Sequence, residues 1–163
     1  MNRVELLNVL KAFTLDAVGE IVMPTALQKG DTEQGFRSAE VHLMRLPDSR
    51  SATKKAPYII HQLITAQDRQ EPGQRPEATA TVRSIFCVYN ANEEEGALML
   101  LNLMGRLRIA LLRRVVLDDR FELDLKANLD ELIYPEDTAP YYMGEMISQW
   151  KLPAVVREVR EWL

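Results

Sequence analysis

Residues 79–89 read TATVRSIFCVY, and the helix-like stretch that follows, residues 92–102, reads NEEEGALMLLN. The first of these alternates at its start. Thr79, Thr81 and Arg83 fall on one side, Ala80, Val82 and Ser84 on the other. From Ile85 to Tyr89 it is apolar on both sides. A strand that begins half-exposed and ends apolar on both faces is predicted to be central in its sheet. Asn92 with Glu95 three residues on has the form of a capping box. Glu93, Glu94 and Glu95 stand at the positive end of the helix dipole; Arg106, Arg108, Arg113 and Arg114 stand toward the negative end. Ala97, Leu100, Leu101, Met104, Leu107, Ala110 and Leu111 form the core stripe. Leu98, Leu103, Ile109 and Leu112 widen it, which predicts a helix covered on more than one side.

Upstream, apolar residues from Leu6 to Ile21 recur at helical spacing and predict a helix over 3–21. Residues 28–35, with two glycines, read as a loop, and 39–46 alternate as a strand. Pro57 opens a strand from Tyr58 to Thr65, rich in β-branched and aromatic residues. Between these lie polar loops at about 47–56 and 66–78, the second interrupted by Pro72-Gly73 and Pro76. Downstream, 115–125 reads as a turn and short strand, 129–134 as another, and 141–152 as a long extended segment stopped by Pro153. The tail from Ala154 reads as a strand or short helix. The order of helix, strands, helix, strands predicts one α+β domain over 1–163. Its sheet is expected to be mixed but mostly antiparallel, with two main helices packed on one face.

The 163 residues are 47% hydrophobic and 27% charged, enough for a core without disulfides or metal. Cys87 is the lone cysteine, so no intrachain disulfide framework exists, and His42 and His61 are the two histidines. The net charge of -4 disfavours a globally basic nucleic-acid binder. Residues 1–90 carry a net +1 and 91–163 a net -5. Nine acids crowd 115–145 against Arg120 and Lys126, which reads first as a solvated acidic face. No apolar run approaches the roughly 20 residues of a membrane helix. The opening MNRVE lacks the basic-then-apolar-then-small order of a signal peptide, so a protein that stays in the cytosol is expected.

Catalytic templates do not fit. The sequence has no P-loop, no G-x-G-x-x-G, no G-x-S-x-G and no H-E-x-x-H. Cys87 sits mid-strand among apolar residues and reads as an inert core thiol. His61 has no acidic neighbour in sequence and reads as structural. The pairs Asp118-Asp119 and Glu136-Asp137 read as solvent-facing turn acids. Tyr134, Tyr141, Tyr142, Trp150 and Trp162 gather late in the chain, as core or subunit-contact packing. A small-molecule module or enzyme built on His61 and these tyrosines is the alternative from a different class.

The segments ATVRSIFCVYN (80–90), NEEEGALMLLN (92–102), DDRFEL (118–123), IYPED (133–137), YYMGEM (141–146) and WKLP (150–153) resemble, in this order, small proteins of the head–tail and tail module of tailed bacteriophages and prophages. Within that group the chain is most similar to the tail terminator, or tail completion, type, over roughly residues 57–160. The resemblance implies a mixed sheet flanked by helices and a homo-oligomeric ring, commonly hexameric. That ring would cap the tail-tube protein and present the surface that meets the head–tail connector protein. It implies a virion protein of the head–tail junction, assembled in the bacterial cytoplasm. It implies no catalytic residues; no cofactor and no metal are expected, and the charge and hydropathy above already speak against specific nucleic-acid binding and membrane attachment. A connector or adaptor on the portal side is the alternative within the same group. The candidate contact residues are Arg50, Lys54, Lys55, Arg69, Arg75 and Trp150, from the two polar loops and the last strand.

Overall fold

The computed structural model describes residues 2–27, 30–47, 55–135 and 138–158. In chain order its elements are α1 (Asn2–Val18), β1 (Met23–Pro24), β2 (Phe36–Arg37), β3 (Glu40–Leu43), β4 (Tyr58–Arg69) and β5 (Glu77–Tyr89). There follow α2 (Glu93–Arg114), β6 (Val116–Leu117), β7 (Phe121–Leu123), β8 (Asp130–Ile133) and β9 (Tyr141–Leu152). The main sheet runs β3-β4-β5-β9-β7-β6, and β8 also pairs with β9. β3 is parallel to β4; the other pairings of this sheet are antiparallel. The strand read as central is central, with β4 along one edge and β9 along the other.

Both helices pack on one face. Phe86, Val88 and Val82 of β5 meet Leu6 and Leu10 of α1 and Leu100, Leu103, Met104 and Leu107 of α2 in the principal core. On the opposite face Tyr58, Ile60, Cys87 and Tyr89 form a second cluster, closed by Ala26, Leu46 and Ala56. Ile85 to Tyr89 thus serves two cores, which is why it carries apolar residues at successive positions. Of the residues closing the second cluster, Ala26 belongs to the segment between β1 and β2, and Leu46 and Ala56 to the connection between β3 and β4. Parallel neighbours need a crossover, usually helical; the described ends of this one, Met44–Pro47 and Lys55–Pro57, contain no α-helix.

Several boundaries differ from the sequence reading. α1 ends at Val18 rather than near 21, at Gly19. β3 stops at Leu43 because Met44 takes a positive φ of 68°. Residues 66–78 are not a loop throughout. β4 runs to Arg69 and β5 starts at Glu77, leaving Gln70–Pro76 as the turn. A bulge between Leu63 and Thr65 keeps Leu63, Ala66 and Ala78 against the principal core. Residues 48–54 of the other polar loop lie outside the described residues. Residues 154–158 of the tail are neither strand nor helix. α2 is covered on one side only, and Leu98, Ile109 and Leu112 of the widened stripe are exposed.

The start of α2 is held by two asparagines. Asn92 Oδ1 accepts from the Glu95 N–H at 3.1 Å, while Asn90 Oδ1 accepts from the Asn92 N–H at 2.9 Å. Asn90 therefore takes the part that the sequence pattern gave to the Glu95 side chain. Asp118 and Asp119, with φ of 51° and 53°, are the central residues of the turn between β6 and β7. Arg120 N–H donates to Leu117 O at 3.1 Å, closing a type I′ turn that suits the twist of the hairpin.

One turn into α2, Gly96 lies under the Tyr142 ring. A Cβ placed there would fall 2.2 Å from the ring. Gly96→Ala is expected to cost about 1–3 kcal/mol in chemical denaturation, as overpacked sites do. In a Tyr142→Ala background the same substitution should cost little. Equal costs in both backgrounds would show that the ring is not what requires the glycine.

Candidate functional site

The chemistry-bearing residues singled out in the sequence are separated by the sheet. His61 faces the helices and is fully buried. Its Nε2 lies 2.8 Å from Thr14 Oγ1, and its Nδ1 lies 2.7 Å from Ser84 Oγ. Thr14 donates its own proton to Leu10 O at 2.7 Å, so its oxygen accepts from the ring. That places the ring proton on Nε2 and leaves Nδ1 to accept from Ser84. Burial pushes the imidazole down to about 3, so it is neutral at pH 7. The triad joins α1, β4 and β5, and its geometry is that of a satisfied core network.

Cys87 is buried in the second cluster, and burial raises its thiol to about 11. The late aromatics divide between faces. Trp150 packs in the principal core and donates to Ser148 Oγ at 2.8 Å. Tyr142 packs against the same core, whereas Tyr141 lies on the other face, its ring centroid 5.5 Å from that of Tyr89. Trp162, Glu136 and Asp137 lie outside the described residues. Among the described residues no group of three or more His, Cys, Asp or Glu is arranged to hold a metal ion. No helix there is long and apolar enough to cross a membrane.

The candidate contact residues fare differently. Arg50 and Lys54 lie outside the described residues. Lys55 is half-buried; its Nζ donates to Pro47 O, and its carbonyl accepts from Arg37 at 2.5 Å. Arg69 and Arg75 are exposed at the tip of the β4–β5 hairpin. Trp150 needs correction as a contact residue, being 1% exposed. Its register opposite Ala80 and Leu123 turns it to the helix side of β9 and out of reach of a neighbour.

Three surfaces remain open. The first is the hairpin tip, Gln70–Pro76, against which the tail lies; Gln70 Nε2 donates to Val155 O at 3.0 Å. Beside it a groove of about 530 Å³ is lined by Val4, Ala78, Leu152 and Val155, with Arg3 and Asp68 paired at 2.8 Å on its rim. The second is the distal half of the sheet face away from the helices. Arg83 there donates to Gln62 Oε1 from Nε at 3.1 Å and from its terminal nitrogen at 2.9 Å. Glu145 accepts from Tyr134 OH at 3.2 Å and stands 3.9 Å from Arg83. The third is the outer side of α2. The Arg83 group was invisible in sequence, because its members meet only through the register of β4, β5 and β9 and the placement of Tyr134 after β8. No local spacing signals it.

The acidic 115–145 run is dispersed along the β6–β8 side. Arg120 bonds Asp118 and Glu5, tying that turn to α1, and Glu131 stands 3.4 Å from Arg108 of α2. Asp119, Glu122 and Asp130 face solvent.

Because the folded value for His61 lies below the ordinary 6.5, the unfolded chain takes up a proton that the native chain refuses. Stability is therefore fully present above about pH 6.5 and falls as pH drops toward 3, with a slope of up to ~1.4 kcal/mol per pH unit. Urea unfolding between pH 7 and 5 should show this slope. His61→Gln should flatten it while lowering overall stability. A slope unchanged in His61→Gln would refute the assignment. In comparisons with known proteins, no family model and no curated protein matches this chain.

Proposed function

We propose that this chain is a non-enzymatic assembly protein of a tailed phage or prophage, of the tail terminator type. In this reading copies join into a ring that caps the tail tube and offers the surface for the head–tail connector. It acts at the head–tail junction of the virion after assembly in the host cytoplasm. The order of sequence segments from Ala80 to Pro153 motivates the reading.

The observation that carries it is apolar surface left uncovered after two cores are complete. Away from α2, Leu132 and Ile133 on β8 and Val155 and Val156 on the tail are all exposed. Exposed apolar side chains of this kind support a reading in which a protein neighbour covers them. A ring also needs two different surfaces on each copy, since its contacts are head-to-tail. The hairpin tip and the far half of the sheet lie on different parts of the fold and supply such a pair. On the far half of the sheet Arg83 stands 3.9 Å from Glu145, whereas the hairpin tip presents Arg69, Glu71 and Arg75 to solvent.

Light scattering of the purified protein should give the mass of several copies, and added tail-tube protein should be capped at its ends, fixing tube length. A strict monomer that neither binds tube ends nor alters their length overturns the proposal. Binding to a portal-side protein in place of the tube would move the chain to the connector type. Replacing Gln70–Pro76 by Asn-Gly keeps the Arg69–Glu77 pairing as a two-residue hairpin. That variant should stay within about 1 kcal/mol of the parent in stability, as exposed changes usually do, yet lose capping. Full capping by it would remove the hairpin tip from the contact.

A further inference from the structure

α2 carries two apolar ridges. The inner one, Leu100, Leu103, Met104, Leu107 and Leu111, is buried against the sheet and α1. The outer one consists of Leu98, Leu101, Ile109 and Leu112, which are 58%, 48%, 44% and 42% exposed. At about 100° per residue these four and Gly105 fall within an arc of ~80°, centred ~150° from the inner ridge. Leu101 already counted in the sequence as part of a core stripe; the fold turns it outward.

The outer ridge is symmetric about its own middle. Leu98 and Leu112 stand seven residues either side of Gly105, and Leu101 and Ile109 four either side. Laid antiparallel on a copy of itself with Gly105 at the centre, the ridge sets Leu98 against Leu112 of the second copy and Leu101 against its Ile109. A Cβ at Gly105 would meet no atom within 4 Å of its own chain, so the centre of the ridge is open to a close neighbour. The ends of the helix are charged in opposite senses, with Glu93, Glu94 and Glu95 in the first turn and Arg113 and Arg114 in the last. The antiparallel arrangement brings the acidic end of each helix to the basic end of the other, with the dipoles opposed. Glu95 and Arg113 share one flank of the ridge, and a two-fold axis keeps that flank on the same side in both copies. Arg108, the cation nearest the ridge, is engaged with Glu131 of its own chain.

We infer that the outer face of α2 is an isologous contact between two copies of this chain, packed antiparallel with Gly105 on the two-fold axis. A two-fold contact closes after two copies and cannot by itself propagate a ring. It is thus a surface separate from any ring contact and does not depend on the tail reading. In a ring-forming protein it would join copies of different rings, or pair chains before the ring forms.

Single cysteines at the ridge test this directly, with Cys87 left in place because it is buried. At an interaxial distance of about 8–10 Å the two Gly105 Cα atoms lie within or near disulfide range. Under mild oxidation Gly105→Cys should form a covalent dimer with itself. Leu98→Cys and Leu112→Cys should not dimerise alone but should cross-link when mixed. Gly105→Cys that stays monomeric under oxidation, or Leu98→Cys that dimerises with itself as readily, overturns the proposal. Leu101→Glu should halve the mass read by light scattering. Arg113→Glu should weaken pairing about fivefold, and Glu95→Arg added to it should restore the parent affinity. A mass indifferent to Leu101→Glu would count equally against the contact.

Discussion

The last five residues of β5 carry apolar side chains on both faces, and the rest of the molecule answers to that condition. A strand of this kind is stable only if neighbours pair with both of its edges and something covers both of its faces. β4 and β9 provide the edges. α1 and α2 cover Phe86 and Val88, while residues near Ala26, Leu46 and Ala56 cover Cys87 and Tyr89. Each fully buried side chain of this size contributes roughly 1.5–3 kcal/mol relative to exposure. Leu46 and Ala56, from the described ends of the connection between β3 and β4, pack into the second of these cores.

Buried polar residues follow the same geometry. His61, Thr14 and Ser84 meet where α1 crosses β4 and β5, and each finds a partner. Trp150 donates to Ser148, whose hydroxyl reaches Val82 O at 3.5 Å. These groups lie inside the helix-facing layer and fix how α1 sits on the sheet. On the opposite face, beyond the second cluster, Arg83, Gln62, Glu145 and Tyr134 form a network at the border of solvent. The molecule thus divides into a sealed interior with satisfied polar groups and an exterior where apolar residues outnumber what one chain needs to cover.

The fold class, the central position of β5 and the extent of α2 could be read from the sequence, because each rests on local periodicity and on end signals such as Asn92. The reach of β4 to Arg69 could not. Residues 67–69 and Glu77 are polar and exposed at the end of the hairpin, and they are strand because β4 and β5 stay paired up to the turn. Trp150 shows the same limit in the other direction. An aromatic in an alternating segment reads equally well as core or contact, and only the pairing with Ala80 and Leu123 turns it inward. Asn90, which replaced Glu95 in closing the start of α2, lies outside the motif that the sequence pattern considers.

The sequence by itself determined where the two helices and the cores of the long strands lie and that β5 must be doubly buried, since side-chain spacing along the chain is a local property. Tertiary structure alone decided which residues of α2 face outward, where the Arg83 network assembles and which buried groups answer His61. Those facts depend on register between strands far apart in sequence. Burial belongs to a residue's neighbours in space, and the order of residues along a chain does not name them.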